Sequence, residues 1–209
     1  MTTRFDRDTE VHQLERSAGV TRYQGRIDSG WWVVRGPNGG YVAALVLRAL
    51  ANSAGADRAP RSLTVHYTAP PEACASFASM IPMHDRYDYR FAIGALPGAG
   101  MDRALVGGWI RSAEHRVADA ALVAAFTDAW PPACFAWARE RDGLGPVPTV
   151  DLTIHFRRDL PLANAAPDDF YLAVFRSRFA EQGFVEEDGE VWSRDGMLLA
   201  QSRQLAVIG

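Results

Sequence analysis

Residues 117–130 (VADAALVAAFTDAW) are apolar nearly all the way round a helical wheel. A helix with no polar face is normally wrapped by other structure, so this stretch predicts a central, buried helix. Two carboxylates interrupt it. Asp119 lies near the start, where the helix dipole favours an anion, and Asp128 lies near the end, where it does not. A carboxylate there is either a turn residue in water or a group whose cost something else offsets. The rest of the chain bears on which.

Alternating or β-rich runs predict strands at 21–27, 61–67, 87–93, 104–112, 149–157, 170–180, 184–193 and 197–207. A second Ala/Leu/Val-rich helix is predicted at 41–50, directly after the breaker cluster GPNGG at 36–40. Those glycines therefore sit at a helix start, where free backbone N–H groups point outward. Residues 94–100 read as a turn, and 131–140 as a short helix with Pro131 and Pro132 in its first turn. Arg194-Asp195-Gly196 is a hairpin signal. The division this gives is a first unit at 1–70, a linker at 71–84 and a second unit at 85–209. One buried helix and a run of antiparallel strands predict an α+β fold, a sheet curled around that helix.

The chain's 209 residues, 48% hydrophobic and 22% charged, are ordinary globular composition. The formal charge of −3 offers no basic field for nucleic acid. All 22 basic residues are arginine, which excludes a Schiff-base or P-loop lysine. Cys74 and Cys134 form no CxxC pair and read as free thiols of a reducing compartment. The polar N-terminus is no signal peptide, and no apolar run approaches the ~20 residues of a membrane span. The expectation is a cytoplasmic protein without nucleic-acid or membrane partners.

The sequence also repeats. SLTVHY (62–67) and DLTIHF (151–156) match at an offset of 89, and the Ala-Leu-Val of 44–46 matches that of 121–123 at an offset of 77. Both halves run helix, connection, strand. After the second copy come three more strands; after the first comes a proline-rich stretch. The first unit thus lacks its last strands and leaves an open edge: either a second chain covers it, or this half is poorly ordered, or the chain is an edited or internally deleted form.

These residues resemble the type II acyl-CoA thioesterase family, two hot-dog units in one chain, each a curved antiparallel sheet around a long helix. GPNGGYVAALVLRAL resembles the glycine-plus-helix element of the first unit, and the chain from Tyr87 onward resembles the second. The resemblance implies a double hot-dog whose first unit is incomplete, by roughly fifty residues after Tyr67. It further implies an Asp, a Thr and a Gln that hold and activate the attacking water. FTDAWPP supplies Asp128, PTVDLTIHFRR supplies Thr149 and LLAQSRQLAV supplies Gln204, with Gln201 as competitor.

The residue types suit that chemistry. Thioester hydrolysis needs a nucleophilic water and a stabilised oxyanion. A screened Asp128 would be a stronger base, and Thr149 and Gln204 can hold a water without quenching it. Gly39 and Gly40 could offer N–H groups to the thioester carbonyl. Arg157 and Arg158 could meet CoA phosphates or merely end a strand in water; His66, His155 and Asp151 read as structural. No GxSxG elbow, metal-ligand cluster or dinucleotide fingerprint is present. The expected activity is acyl-CoA hydrolysis within fatty acid metabolism, by a homodimer that needs no cofactor. The alternatives are a non-catalytic acyl-thioester binding protein and a hot-dog hydratase, the latter lacking a recognisable Asp/His motif.

Overall fold

A computed structural model describes residues 2–17, 20–33, 36–54, 58–66, 82–95, 97–139 and 145–208. The first part holds helix α1 (Arg4–Asp8), strands β1 (Val11–Ser17) and β2 (Val20–Gly25), helix α2 (Gly39–Ala54) and strand β3 (Ser62–His66). The remainder holds β4 (Tyr87–Gly94), β5 (Ala104–Ser112), helix α3 (Ala120–Phe126), β6 (Thr149–Phe156), β7 (Tyr171–Ser177), the two-residue β8 (Ala180–Glu181), β9 (Phe184–Trp192) and β10 (Leu198–Val207). Short 3₁₀ turns lie at Ser29–Trp31, Pro82–Arg86 and Ala133–Ala136.

One sheet runs β3-β6-β10-β9-β7-β5-β4, antiparallel throughout, with β8 beside β9; β1 and β2 form a separate hairpin. The α+β expectation holds. From Ala121 to Phe126 every residue of α3 is buried, as a helix without a polar face requires. α3 packs on α2 and under the sheet, within one core that includes Tyr41, Ala44, Leu122, Phe126, Leu152, Ile154 and Phe175.

α3 is shorter than the predicted 117–130, and its caps explain why. The Asp119 side chain accepts the Leu122 N–H at 2.9 Å and so starts the helix. At the other end the Thr127 hydroxyl donates to the Ala124 carbonyl at 2.7 Å. Asp128 therefore lies beyond the helix, not in its last turn. The glycine cluster does open α2, but Gly39 and Gly40 fall inside the first turn. Pro131 and Pro132 precede their 3₁₀ turn instead of entering it.

The repeat becomes a symmetry. β3 pairs with β6, so the two copies face one another with Thr64 opposite Thr153, and the Thr153 hydroxyl donates to that of Thr64 at 3.2 Å. Equivalent residues meet there, as at a local two-fold axis, and α2 and α3 pack across it. β3 has no strand on its other side among the described residues. The expected linker at 71–84 lies outside them except for Pro82, Met83 and His84, which open the 3₁₀ turn before β4; Cys74 lies outside them too.

Candidate active site

α2 and α3 cross where Asn38 and Gly40 meet Asp128. The Asn38 side chain serves both helices. Its Oδ1 accepts the Tyr41 N–H at 2.9 Å, an N-cap for α2, and its Nδ2 donates to Asp128 Oδ2 at 3.0 Å. The Gly40 N–H donates to the same Oδ2 at 3.1 Å. Asp128 thus sits at the positive end of α2, a different electrostatic setting from the C-terminal end of its own helix expected from sequence. The first-turn N–H groups of α2, expected to face a thioester carbonyl, point to this carboxylate instead, because it is the nearest anion.

Gln204 and Thr149 come to the same place from the sheet. β10 alternates, with Ser202, Gln204 and Ala206 buried and Arg203 and Leu205 exposed. Gln201 lies on the opposite face and accepts from Arg157 Nε at 2.9 Å, which decides between the two glutamines. Thr149 opens β6. The β6–β10 register slips after Leu205, so Asp151 pairs with Leu205 and Thr149 with Ala206, a bulge of the kind that re-aims a side chain. The Thr149 hydroxyl donates to Gln204 Oε1 at 3.1 Å, and Gln204 also hydrogen-bonds Asp128. Asp128, Thr149 and Gln204 are thus one hydrogen-bonded group.

A fourth member was not singled out in the sequence. Glu187, on the buried face of β9, accepts Gln204 Nε2 at 2.8 Å and the Ala133 N–H at 2.5 Å. The run Glu186-Glu187-Asp188 reads as a solvated charge cluster. The missed signal was period two: Val185, Glu187, Gly189 and Val191 share one face, which puts a carboxyl on an apolar stripe.

The electrostatics follow from burial. Burial pushes the Asp128 carboxyl up to about 6, against the pull of the Gly40 and Gly39 N–H groups and the Gln204 and Asn38 side chains. Desolvation lifts Glu187 to about 8, helped by the charges of Asp128 and Glu186 and opposed by Ala133 and Gln204. On the β4 side, Tyr89 donates to the Ala129 carbonyl at 2.8 Å, and the Asp128 charge adds to the burial that raises the Tyr87 and Tyr89 hydroxyls. The Tyr87 hydroxyl and Trp130 Nε1 are buried without a hydrogen-bond partner among the described residues.

The other residues considered lie elsewhere. Arg157 follows the far end of β6, roughly 25 Å of strand from Thr149. His155 is exposed on β6, and the His66 backbone pairs with that of Asp151. No group of three or more His, Cys, Asp or Glu among the described residues could hold a metal ion. An open cleft lined by Arg7, Glu10, His12 and Asp28 lies beside the β1–β2 hairpin and includes none of the four site residues.

Family profiles match this layout. The acyl-CoA thioesterase C-terminal domain matches residues 56–208, and the acyl-CoA thioesterase N-terminal domain matches 28–80. The chain belongs to the acyl-CoA thioesterase family. Solved structures give the fold. A hot-dog-fold protein of unknown function from Alicyclobacillus acidocaldarius superposes with a TM-score of 0.77 at 21% identity, over 100% of this chain and 99% of its own. An acyl-CoA thioesterase II, TesB2, from Mycobacterium marinum superposes with a TM-score of 0.67 at 16% identity, over 99% and 97%. Among curated proteins, no sequence matches significantly. The fold of this thioesterase-family chain is the hot-dog that the family resemblance implies.

Proposed function

We propose that the protein hydrolyses acyl-CoA to free acid and CoA by direct attack of water, with Asp128 as general base. The observation that carries this reading is the convergence of Asp128, Thr149 and Gln204 into one half-buried hydrogen-bonded group, from the end of α3 and from β6 and β10. A carboxyl near 6 is ionised at neutral pH yet basic enough to take a proton. The Thr149 hydroxyl spends its hydrogen on Gln204, so its oxygen lone pairs are left to accept a hydrogen from the water.

In this mechanism the water oxygen bonds to the thioester carbon as its proton passes to Asp128. The carbon–sulfur bond then breaks, and the CoA thiolate takes that proton as it leaves. As Asp128 takes the proton, its hold on the Gly39 and Gly40 N–H groups weakens, and the fixed positive end of α2 favours the negative charge that develops at the nearby carbonyl oxygen. No enzyme-bound acyl intermediate forms. The protein acts without a cofactor, in the cytoplasm, on fatty acyl substrates. A homodimer is part of the proposal: among the described residues β3 is a sheet edge, and Leu14, Val20 and Leu50 are exposed. Among the described residues no helix is long and apolar enough to cross a membrane.

The test is CoA release from acyl-CoAs of graded chain length, followed with a thiol reagent, for wild type beside Asp128→Asn. The expected loss in kcat is about a hundredfold or more. Full activity in D128N overturns the assignment. Acyl-CoA binding without turnover by the wild type overturns hydrolysis in favour of a binding protein.

A further inference from the structure

Two tyrosines of β4 share one face and differ in one respect. Tyr87 and Tyr89 pair with Ser112 and Ile110 of β5, both buried, and their own rings pack edge-on with centres 5.8 Å apart. The Tyr89 hydroxyl donates to the Ala129 carbonyl at 2.8 Å. The Tyr87 hydroxyl, on a residue only 4% exposed, has no hydrogen-bond partner among the described residues. We propose that Tyr87 is a further catalytic residue of the hydrolysis, its hydroxyl the hydrogen-bond donor to the thioester carbonyl oxygen. This inference rests on the thioesterase reading of the site.

The contacts of the two rings place that hydroxyl. Tyr87 packs edge-on against Phe126 with ring centres 5.7 Å apart, and Phe126 is the last residue of α3, two before Asp128. Tyr89 holds Ala129, the residue after Asp128. Both rings therefore lie against the turn that carries the carboxylate. The charge of Asp128 acts on the Tyr87 hydroxyl, yet the two form no hydrogen bond, so base and donor are neighbours without being partners. This face of β4 opens toward one end. Phe91, next in the alternation, is 51% exposed, Tyr89 is half-buried and Tyr87 is buried. Trp130 packs on Phe91 and Tyr89 with ring centres 4.8 and 5.3 Å away, and Asp128 keeps partial exposure. A thioester that comes past Phe91 and Trp130 to reach Asp128 ends at Tyr87.

The reaction needs such a donor. As water bonds to the carbonyl carbon, negative charge gathers on the carbonyl oxygen, and a donor already fixed there lowers the barrier. The Gly40 N–H and Asn38 Nδ2 are spent on Asp128 Oδ2. The positive end of α2 thus supplies a field, and neither of these hydrogens is free when the step begins. The Tyr87 hydroxyl has its hydrogen unspent. Burial raises that hydroxyl, so it keeps its proton throughout and gives the oxyanion a hydrogen bond only. A buried hydroxyl without a partner costs stability, and such groups are rare in folded proteins. A partner that arrives with the substrate accounts for this one. Trp130 Nε1 is unpaired as well, but its ring packs toward the open end, on Phe91, and lines the approach.

The experiment compares Tyr87→Phe with Tyr89→Phe in CoA release and thermal melting. Y87F should lose about a hundredfold in kcat with KM little changed. It should also melt about 2–4 °C higher than wild type, because an unpaired hydroxyl leaves the core. Y89F should melt lower, since the Ala129 carbonyl loses its donor, and should lose less turnover than Y87F. A merely structural Tyr87 would not move kcat and Tm in opposite directions. A second measurement needs no turnover. With acyl-CoA isotope-labelled at the thioester carbonyl and bound to Asp128→Asn, the carbonyl infrared band should lie at lower frequency than in the D128N/Y87F double variant. Wild-type kcat in Y87F, a lower Tm in Y87F, or one carbonyl band common to both D128N proteins overturns the inference. D128N inactive beside a fully active Y87F sinks this inference alone; D128N fully active sinks the hydrolytic reading.

Discussion

The Gly40 N–H donates to Asp128 Oδ2 at 3.1 Å, and only the missing side chain of Gly40 lets the two groups approach. A Cβ at position 40 would stand 2.7 Å from the Ala125 carbonyl oxygen and 3.1 Å from Asp128 Cβ. The crossing of α2 on α3 and the seat of the carboxylate are therefore the same contact. Gly40→Ala should push the helices apart, costing about 1–3 kcal/mol as overpacked cores do. Turnover should fall further than the folded fraction accounts for, because the donor moves with the helix. A thermal melt and a CoA-release assay on one preparation check both, and a wild-type Tm with wild-type kcat would show the crossing to be loose.

Asn38 gives a test of pH dependence. Its Nδ2 bonds the charged form of Asp128, so it pulls the carboxyl down against the burial that lifts it to about 6. Asn38→Ala removes that pull. The acid limb of kcat/KM should move to higher pH, and activity at pH 6 should drop more than activity at pH 8. The α2 cap is lost as well, at about 1 kcal/mol of stability. A limb that stays in place would mean that Asn38 positions α2 without influencing the base.

Much of this was legible in the sequence, and the misses have physical causes. The strands of the second unit were readable because one face of each is apolar. β1 was not, since six of its seven residues are exposed and VHQLERS shows no alternation. α1 has five residues, too few for a period, although its capping box at Thr3 and Asp6 was there to be read. Asp128, Thr149 and Gln204 were found through a family resemblance. Asn38 and Glu187 were not, because their importance lies in contacts that span 90 and 54 residues of chain. The repeat was visible, but its consequence was not: that Thr64 and Thr153 would face each other depends on antiparallel pairing of two distant strands.

The N-terminal helix is tied to the core by charge, and this predicts acid sensitivity. Arg116 Nε donates to Asp6 Oδ1 at 2.8 Å, and its Nη2 donates to Asp119 Oδ2 at 2.6 Å. Burial alone would raise the Asp6 carboxyl, but the hydrogen bonds from Arg116 and Thr3 overcome it and hold it down at about 2. Asp119 is lowered against its burial in the same way, chiefly by Arg116. Carboxyls with depressed folded values contribute stability above about pH 4, which is lost as pH falls toward 2. Arg116→Met should cost about 2 kcal/mol at pH 7, less than a fully buried pair, since both aspartates keep partial exposure. The deficit should shrink at pH 3. Chemical denaturation of both proteins across that range measures it, and a deficit independent of pH would assign the loss to packing of Arg116 on Phe5.

Asp128 has the opposite sign, and this gives a test of the proposed base against a purely structural carboxylate. Its folded value of about 6 lies above the ordinary 3.8, so between those pH values the folded protein binds more protons than the unfolded chain. Stability therefore declines as pH rises from about 4 to about 6 and stays lower above that. The cost of holding the charged form is at most about 3 kcal/mol. Asp128→Asn keeps an oxygen for the Gly40 N–H and carries no charge, so it escapes the cost. The variant should melt higher than wild type at pH 8, with the gain vanishing near pH 4, while turnover is lost at both. A side chain retained for stability would behave in reverse, with the variant melting lower wherever Asp128 is ionised. The comparison of melting curves at pH 4 and pH 8 thus asks whether the molecule gives up stability at this position to keep a base.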